Sequence, residues 1–91
     1  MVFPVIKMET RIRDLREDRD LSQCVVAEAI GISQRKYSYH ETGKQPWTEE
    51  LLVRLAEYYG TSVDYLLMRT DDPRPPYPSV KFVNNIWKNS L

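Results

Sequence analysis

A single cysteine, Cys24, excludes an internal disulfide and any multi-cysteine metal site, and it fits a reducing cytoplasm. One histidine, His40, has no companion ligands in the sequence, so no metal site is expected. No run approaches the roughly eighteen apolar residues of a membrane span. The start, MVFPVIKMET, is too short and too polar after Ile6 for a signal peptide. Thirteen Lys and Arg balance thirteen Asp and Glu, so a strongly basic chain is also excluded. Three glycines leave no Gly-rich phosphate loop, and no nucleophile–base pair is visible. Ninety-one residues make one small domain without room for a deep pocket. The expectation is a soluble, cytoplasmic, non-enzymatic protein with no cofactor, no membrane association and no evident small-molecule ligand.

What is present is organised around Leu21–Gly43, LSQCVVAEAIGISQRKYSYHETG. It reads as two short helices, capped by Ser22 and Ser33, with Gly31 at the turn where a positive φ lets a second helix leave steeply. Ala27, one turn before that glycine, permits close crossing. Val26, Ile30 and Tyr37 recur at core spacing. Gln23, Gln34, Arg35, Ser38 and Tyr39 are left outward, a set suited to hydrogen-bonding base edges and phosphates. The pattern is that of a helix-turn-helix whose second helix, Gln34–His40, faces a groove. Charge follows the same polarity. Residues 33–47 carry Arg35, Lys36 and Lys44 against Glu41, whereas residues 48–72 are predominantly acidic.

Around this stretch the chain predicts an N-terminal arm (1–7), a helical domain (8–69) and a Pro-rich linker with a docking tail (70–91). Met8, Ile12 and Leu15 form one stripe of a helix from about Met8 to Arg19. Thr48 caps a fourth helix with Glu49 and Glu50 in its first turn, and Leu51, Leu52, Leu55, Ala56 and Tyr59 give it a core face. Gly60 ends it. Thr61 with Asp64 predicts a capping-box start for a short fifth helix. The run DDPRPPYP, with four prolines in eight residues, is a stiff spacer. Beyond it Phe82, Val83, Ile86 and Trp87 sit at helical spacing, a segment that must dock to be ordered.

The stretches IRDLRE, LSQ with VAEAIGIS, YSYHETGKQP and LVRLAEYYGTSVDYLL resemble the lambda-repressor-like, Cro/repressor (XRE) type of helix-turn-helix domain, over about Ile12–Leu67. The resemblance implies an all-α fold, a compact five-helix lambda-repressor-like domain with a short Pro-rich C-terminal extension. It also implies a transcriptional regulator, usually dimeric on DNA. Residue by residue, it implies base contacts from Gln34, Arg35, Ser38 and Tyr39. Phosphate contacts fall to Gln23, Ser33, Tyr37, Lys44 and the Thr42–Gly43 peptide. Arg16 and Glu41 match a partly buried ion pair. Cys24-Val25, Tyr37 and His40 depart from the family pattern, and these departures bear on the packing of the second helix.

Arg35 suits guanine and Gln34 suits adenine. Tyr39 is open between covering a thymine methyl and shielding the helix, and Lys36 faces solvent or backbone. His40 is expected at the core edge, with Trp47 and Trp87 as packing residues. The resulting expectation is a sequence-specific double-stranded-DNA regulator of the Cro/repressor type, with the choice between repression and activation left open. It would act as a homodimer on a roughly palindromic operator, with Tyr77–Leu91 as the preferred dimer element and the loop between the fourth and fifth helices as its rival. The alternative is a protein-interaction module of the same fold, antitoxin- or anti-repressor-like, that no longer reads DNA. Neutral charge and the apolar ends favour it modestly.

Overall fold

Caps and glycines cut this chain into helices more sharply than helix propensity does. The computed structural model describes residues 9–75. Within them lie α1 (Ile12–Asp18), α2 (Gln23–Ile30), α3 (Gln34–Glu41), α4 (Glu49–Tyr59) and α5 (Val63–Leu66), and no strand. The expected five-helix, all-α architecture is therefore present. The N-terminal arm and the Tyr77–Leu91 tail lie outside the described residues.

Helix α1 is shorter than the span expected from Met8 to Arg19. Met8 is outside the described residues, and the Arg11 N–H is donated to the Leu66 carbonyl at 2.8 Å. That bond commits the backbone before Ile12 to α5 instead of to another helical turn. At the far end Asp20 takes φ 53°, a left-handed value that Asp tolerates better than most side chains.

Two glycine corners then repeat one design. Gly31 (φ 81°) ends α2 and Gly60 (φ 70°) ends α4. In each case the next residue folds its N–H back into the finished helix, Ile32 to the Ala27 carbonyl (3.0 Å) and Thr61 to the Ala56 carbonyl (2.9 Å). This pattern satisfies carbonyls that the helix would otherwise leave open. A serine caps each new helix. Ser33 Oγ accepts from the Lys36 N–H (3.1 Å) and Ser62 Oγ from the Tyr65 N–H (3.0 Å).

The second of these caps corrects the expectation for Thr61. Thr61 does not open α5; its side chain is buried, and its hydroxyl donates to the Pro73 carbonyl at 2.7 Å. Ser62, the residue in extended conformation just before the helix, is the one able to turn its oxygen onto the free N–H groups. Helix α4 is capped as expected, Thr48 Oγ1 accepting from the Leu51 N–H at 3.2 Å.

The core gathers one face of every helix: Ile12 from α1, Val26, Ala27 and Ile30 from α2, Tyr37 from α3, the Leu51–Tyr59 face of α4, and Leu66 from α5. Helix α2 packs on both α3 and α4, so the corner at Gly31 rests on a scaffold made by α4. Burying such aliphatic side chains contributes about 1.5–3 kcal/mol each against the entropy of ordering the chain. The segment after α5 is tied down as well. Arg11 donates through Nε to the Tyr65 carbonyl (3.0 Å) and through Nη2 to the Thr70 carbonyl (3.3 Å) and Asp71 Oδ1 (2.7 Å).

Candidate nucleic-acid interface

With Tyr37 and His40 turned inward, α3 has its opposite face left to solvent. Gln34, Arg35 and Lys36 are exposed, as is Ser38's neighbourhood in part: Ser38 and Tyr39 are half-buried beside them. Lys44 stands exposed in the loop after the helix. The structure thus brings Gln34, Arg35, Ser38, Tyr39 and Lys44 onto one end of the molecule, with Ser33 at the rim as the cap of the same helix.

These side chains are not independent. Arg35 Nε donates to Tyr39 Oη at 2.9 Å, and its guanidinium carbon lies 5.7 Å from the centre of the Tyr39 ring. Lys44 Nζ lies 5.4 Å from the same ring. Tyr39 therefore has two cations at cation–π distance. Sequence reasoning assigned these residues one by one and missed the cluster. The i,i+4 spacing of Arg35 and Tyr39 was the signal that could have found it.

Two of the expected phosphate contacts are corrected. Tyr37 is 0% exposed, so its hydroxyl reaches no phosphate. The ring is the largest fully buried side chain and meets Trp47 edge-on at 5.6 Å. Burial, with the Glu41 carboxylate close by, pushes its phenol well above the ordinary tyrosine range. The ring serves the core. The Thr42–Gly43 peptide is the second correction. Its N–H groups are donated to the Ser38 carbonyl (2.9 Å) and the His40 carbonyl (3.2 Å), so neither is free for a ligand while α3 keeps its last turn. The Thr42 hydroxyl is likewise turned onto the Ser38 carbonyl (2.7 Å).

Behind the exposed face lies a charged lock. Arg16 and Glu41 form a forked pair, Nε to Oε2 at 3.0 Å and Nη2 to Oε1 at 2.8 Å. Their side chains are only 13% and 4% exposed. Arg16 also donates to the Leu21 carbonyl at 2.9 Å, so one guanidinium joins α1, the entry to α2 and the end of α3. Gln23 Nε2 donates to the same carboxylate at 3.3 Å. That inward bond sets the orientation of Gln23 and competes with an outward contact.

Burial pushes the Glu41 carboxyl up, but the hydrogen bonds from Arg16 and Gln23, with the Tyr37 hydroxyl alongside, outweigh it and hold the group below the usual carboxylate range. His40 is buried too. It stacks on Trp47 with ring centres 4.8 Å apart, and neither ring nitrogen has a hydrogen-bond partner. Among the described residues no cluster of His, Cys, Asp or Glu could hold a metal ion, and no helix is long and apolar enough to cross a membrane.

A capped two-helix corner, its second helix pinned from behind and polar in front, defines a helix-turn-helix domain, and the family model described by that name matches residues 10–66. The chain belongs to this family, in its Cro/repressor (XRE) type. Among curated proteins it is similar to "Uncharacterized HTH-type transcriptional regulator YobD" of Bacillus subtilis (strain 168), 42% identical over 66 residues, which are 71% of this chain and 58% of that protein. It is also similar to "Cryptic phage CTXphi transcriptional repressor RstR" of Vibrio cholerae, 40% identical over 58 residues, 64% of this chain and 52% of that protein. The chain thus spans little more than half the length of these curated relatives. No solved structure matches it.

Proposed function

We propose that this chain is a sequence-specific double-stranded-DNA-binding transcriptional regulator, a repressor, that inserts α3 into the major groove. The observation that carries the reading is the face of α3, where Gln34 and Arg35 stand exposed at the start of a helix held from behind by Arg16 and Glu41. The names of both relatives support the same role.

In this reading Gln34 and Arg35 meet base edges, with Ser38 and Tyr39 one turn further along. Lys44, with Ser33 and Gln23 at the two helix starts, takes phosphates. A domain of this size makes few contacts alone, so two copies act together on a roughly palindromic operator, with half-sites roughly 34 Å apart. Such an operator mirrors the two-fold axis of a dimer. The domain proper is residues 8–69, residue 70 onward begins a Pro-rich linker, and the tail Tyr77–Leu91 is the proposed dimer element.

Selection of the full chain against random duplexes at moderate salt, followed by sequencing, tests the proposal. A recovered motif with an internal two-fold supports it. Recovery of no motif, together with no salt-sensitive affinity for any duplex, rejects it in favour of a protein-binding role for the fold.

A further inference from the structure

Tyr39 lies within reach of two cations on the exposed side of α3, and its hydroxyl is hydrogen-bonded to only one of them. Arg35 is a long side chain near the open end of a helix, where nothing in the backbone fixes its rotamer. Yet its Nε is held 2.9 Å from Tyr39 Oη, with the guanidinium carbon 5.7 Å from the centre of the same ring. The bond takes up the inner donor of the guanidinium. Nη1 and Nη2, at the tip, have no protein acceptor among the described residues. A tip with paired outward donors is the half that matches the O6 and N7 acceptors of guanine in the major groove.

The Tyr39 oxygen accepts from Arg35, so its own proton can still be donated elsewhere. Lys44 Nζ, 5.4 Å from the ring centre, adds a second positive charge against the ring. Lys44 attracts the ring independently of Arg35. The ring therefore offers Arg35 a point of attachment.

We propose that Tyr39 is a positioning residue for Arg35: its hydroxyl orients the guanidinium so that the tip reads one guanine, and sequence selectivity at that base pair depends on the pair rather than on the arginine alone. The proposal rests on the reading of α3 as the groove-entering helix. It assigns Tyr39 a role acting through Arg35, which differs from a direct contact to a thymine methyl. Preorganisation of this kind lowers the ordering cost of the arginine, and a tip held in one place cannot swing to acceptors that another base pair presents elsewhere.

The test uses the full chain and the selected duplex, with a panel of duplexes changed at one base pair each. Arg35→Ala should flatten the preference at one base pair and identify it. Tyr39→Phe keeps the ring and removes the hydroxyl, and it should lower the preference at that same base pair by roughly fivefold, the worth of one exposed hydrogen bond. The double variant should discriminate no worse than Arg35→Ala alone, the signature of two residues acting as a unit. A Tyr39→Phe chain with full discrimination at that base pair overturns the proposal. So does a loss confined to a different base pair, which indicates direct contact, or an even loss over the whole panel, which indicates a structural role. Failure of the wild-type chain to select any duplex overturns the DNA-binding reading itself, and that outcome is visible before any variant is made.

Discussion

At Gly31 and again at Gly60 a helix stops on a left-handed glycine, the next N–H folds back, and a serine opens another helix. The backbone of the two corners is nearly the same, but the helices they lead into differ. After Ser33 come Gln34, Arg35 and Lys36, all exposed, on a helix of eight residues. After Ser62 come Val63 and Asp64 on a helix of four, with Leu66 in the core. Each second helix is fastened at its far end by an arginine, Arg16 within α1 and Arg11 just before it, but to different partners. Arg16 grips the carboxylate of Glu41, whereas Arg11 grips the Tyr65 and Thr70 carbonyls and the exposed Asp71. The corner is thus a general folding device. What differs between the two corners is which side chains are carried outward and which groups fasten the helix behind them.

The two fastenings differ most in how buried their charged groups are. Glu41→Ala leaves Arg16 charged and buried without its partner and should cost about 3–5 kcal/mol in a denaturant melt. Arg11→Ala removes bonds that water can partly replace and should cost about 1–2 kcal/mol. Equal losses would show that the two fastenings are equivalent.

Acid probes the same lock. The folded Glu41 carboxyl lies below its ordinary value, so its contribution is present above roughly pH 4.3, the unfolded value, and fades as pH falls through the folded one. Glu41→Gln should remove that part of the acid transition, as read by helical signal against pH. An unchanged acid limb would place the destabilising protonation elsewhere.

At the outward positions, Arg35→Ala should weaken binding to the selected duplex by about 1–3 kcal/mol. The equivalent change in the second corner, Asp64→Ala, should leave that binding unchanged. Both are read by anisotropy titration.

The glycines come next. Gly60→Ala meets nothing within 4 Å and should lose about 1 kcal/mol for its left-handed backbone alone. A methyl at Gly31 would stand 3.3 Å from Arg54 Nη1, which donates to the Ile30 carbonyl at 2.9 Å. Gly31→Ala should therefore lose about 1 kcal/mol more, because the Arg54 bond is disturbed as well. Smallest is Lys44→Ala, which should weaken all duplexes alike and reduce the salt slope by about one unit.

Much of this fold was legible because it is punctuated. Gly31, Gly60, Ser33 and Thr48 mark boundaries by conformational need, and Ile12, Val26, Ile30 and Leu55 mark the core by spacing. Thr61 was misread because two adjacent hydroxyl residues can each begin a capping pattern, and only packing decides which one turns inward. The face of α3 was legible in the same way, from Gln34, Arg35 and Ser38 pointing away from the apolar stripe. Tyr37 was not, since a phenol ring serves as well for the core as for a phosphate until the space behind it is known. The Thr42–Gly43 amides were misassigned because their carbonyl partners depend on how α3 ends, which no local pattern states. The Arg35–Tyr39–Lys44 cluster needs three rotamers at once, and spacing supplies only the first pair.

Base reading by the exposed face of α3, as proposed, can be decided by one titration. Wild-type and Arg35→Ala chains are bound to the selected duplex and to a panel of duplexes with one base pair exchanged in each. The wild type should discriminate against exchanges across the site, and Arg35→Ala should lose that discrimination at one base pair while keeping it at the others. Profiles over the panel that are the same for wild type and Arg35→Ala would mean that this face of α3 does not read bases through Arg35.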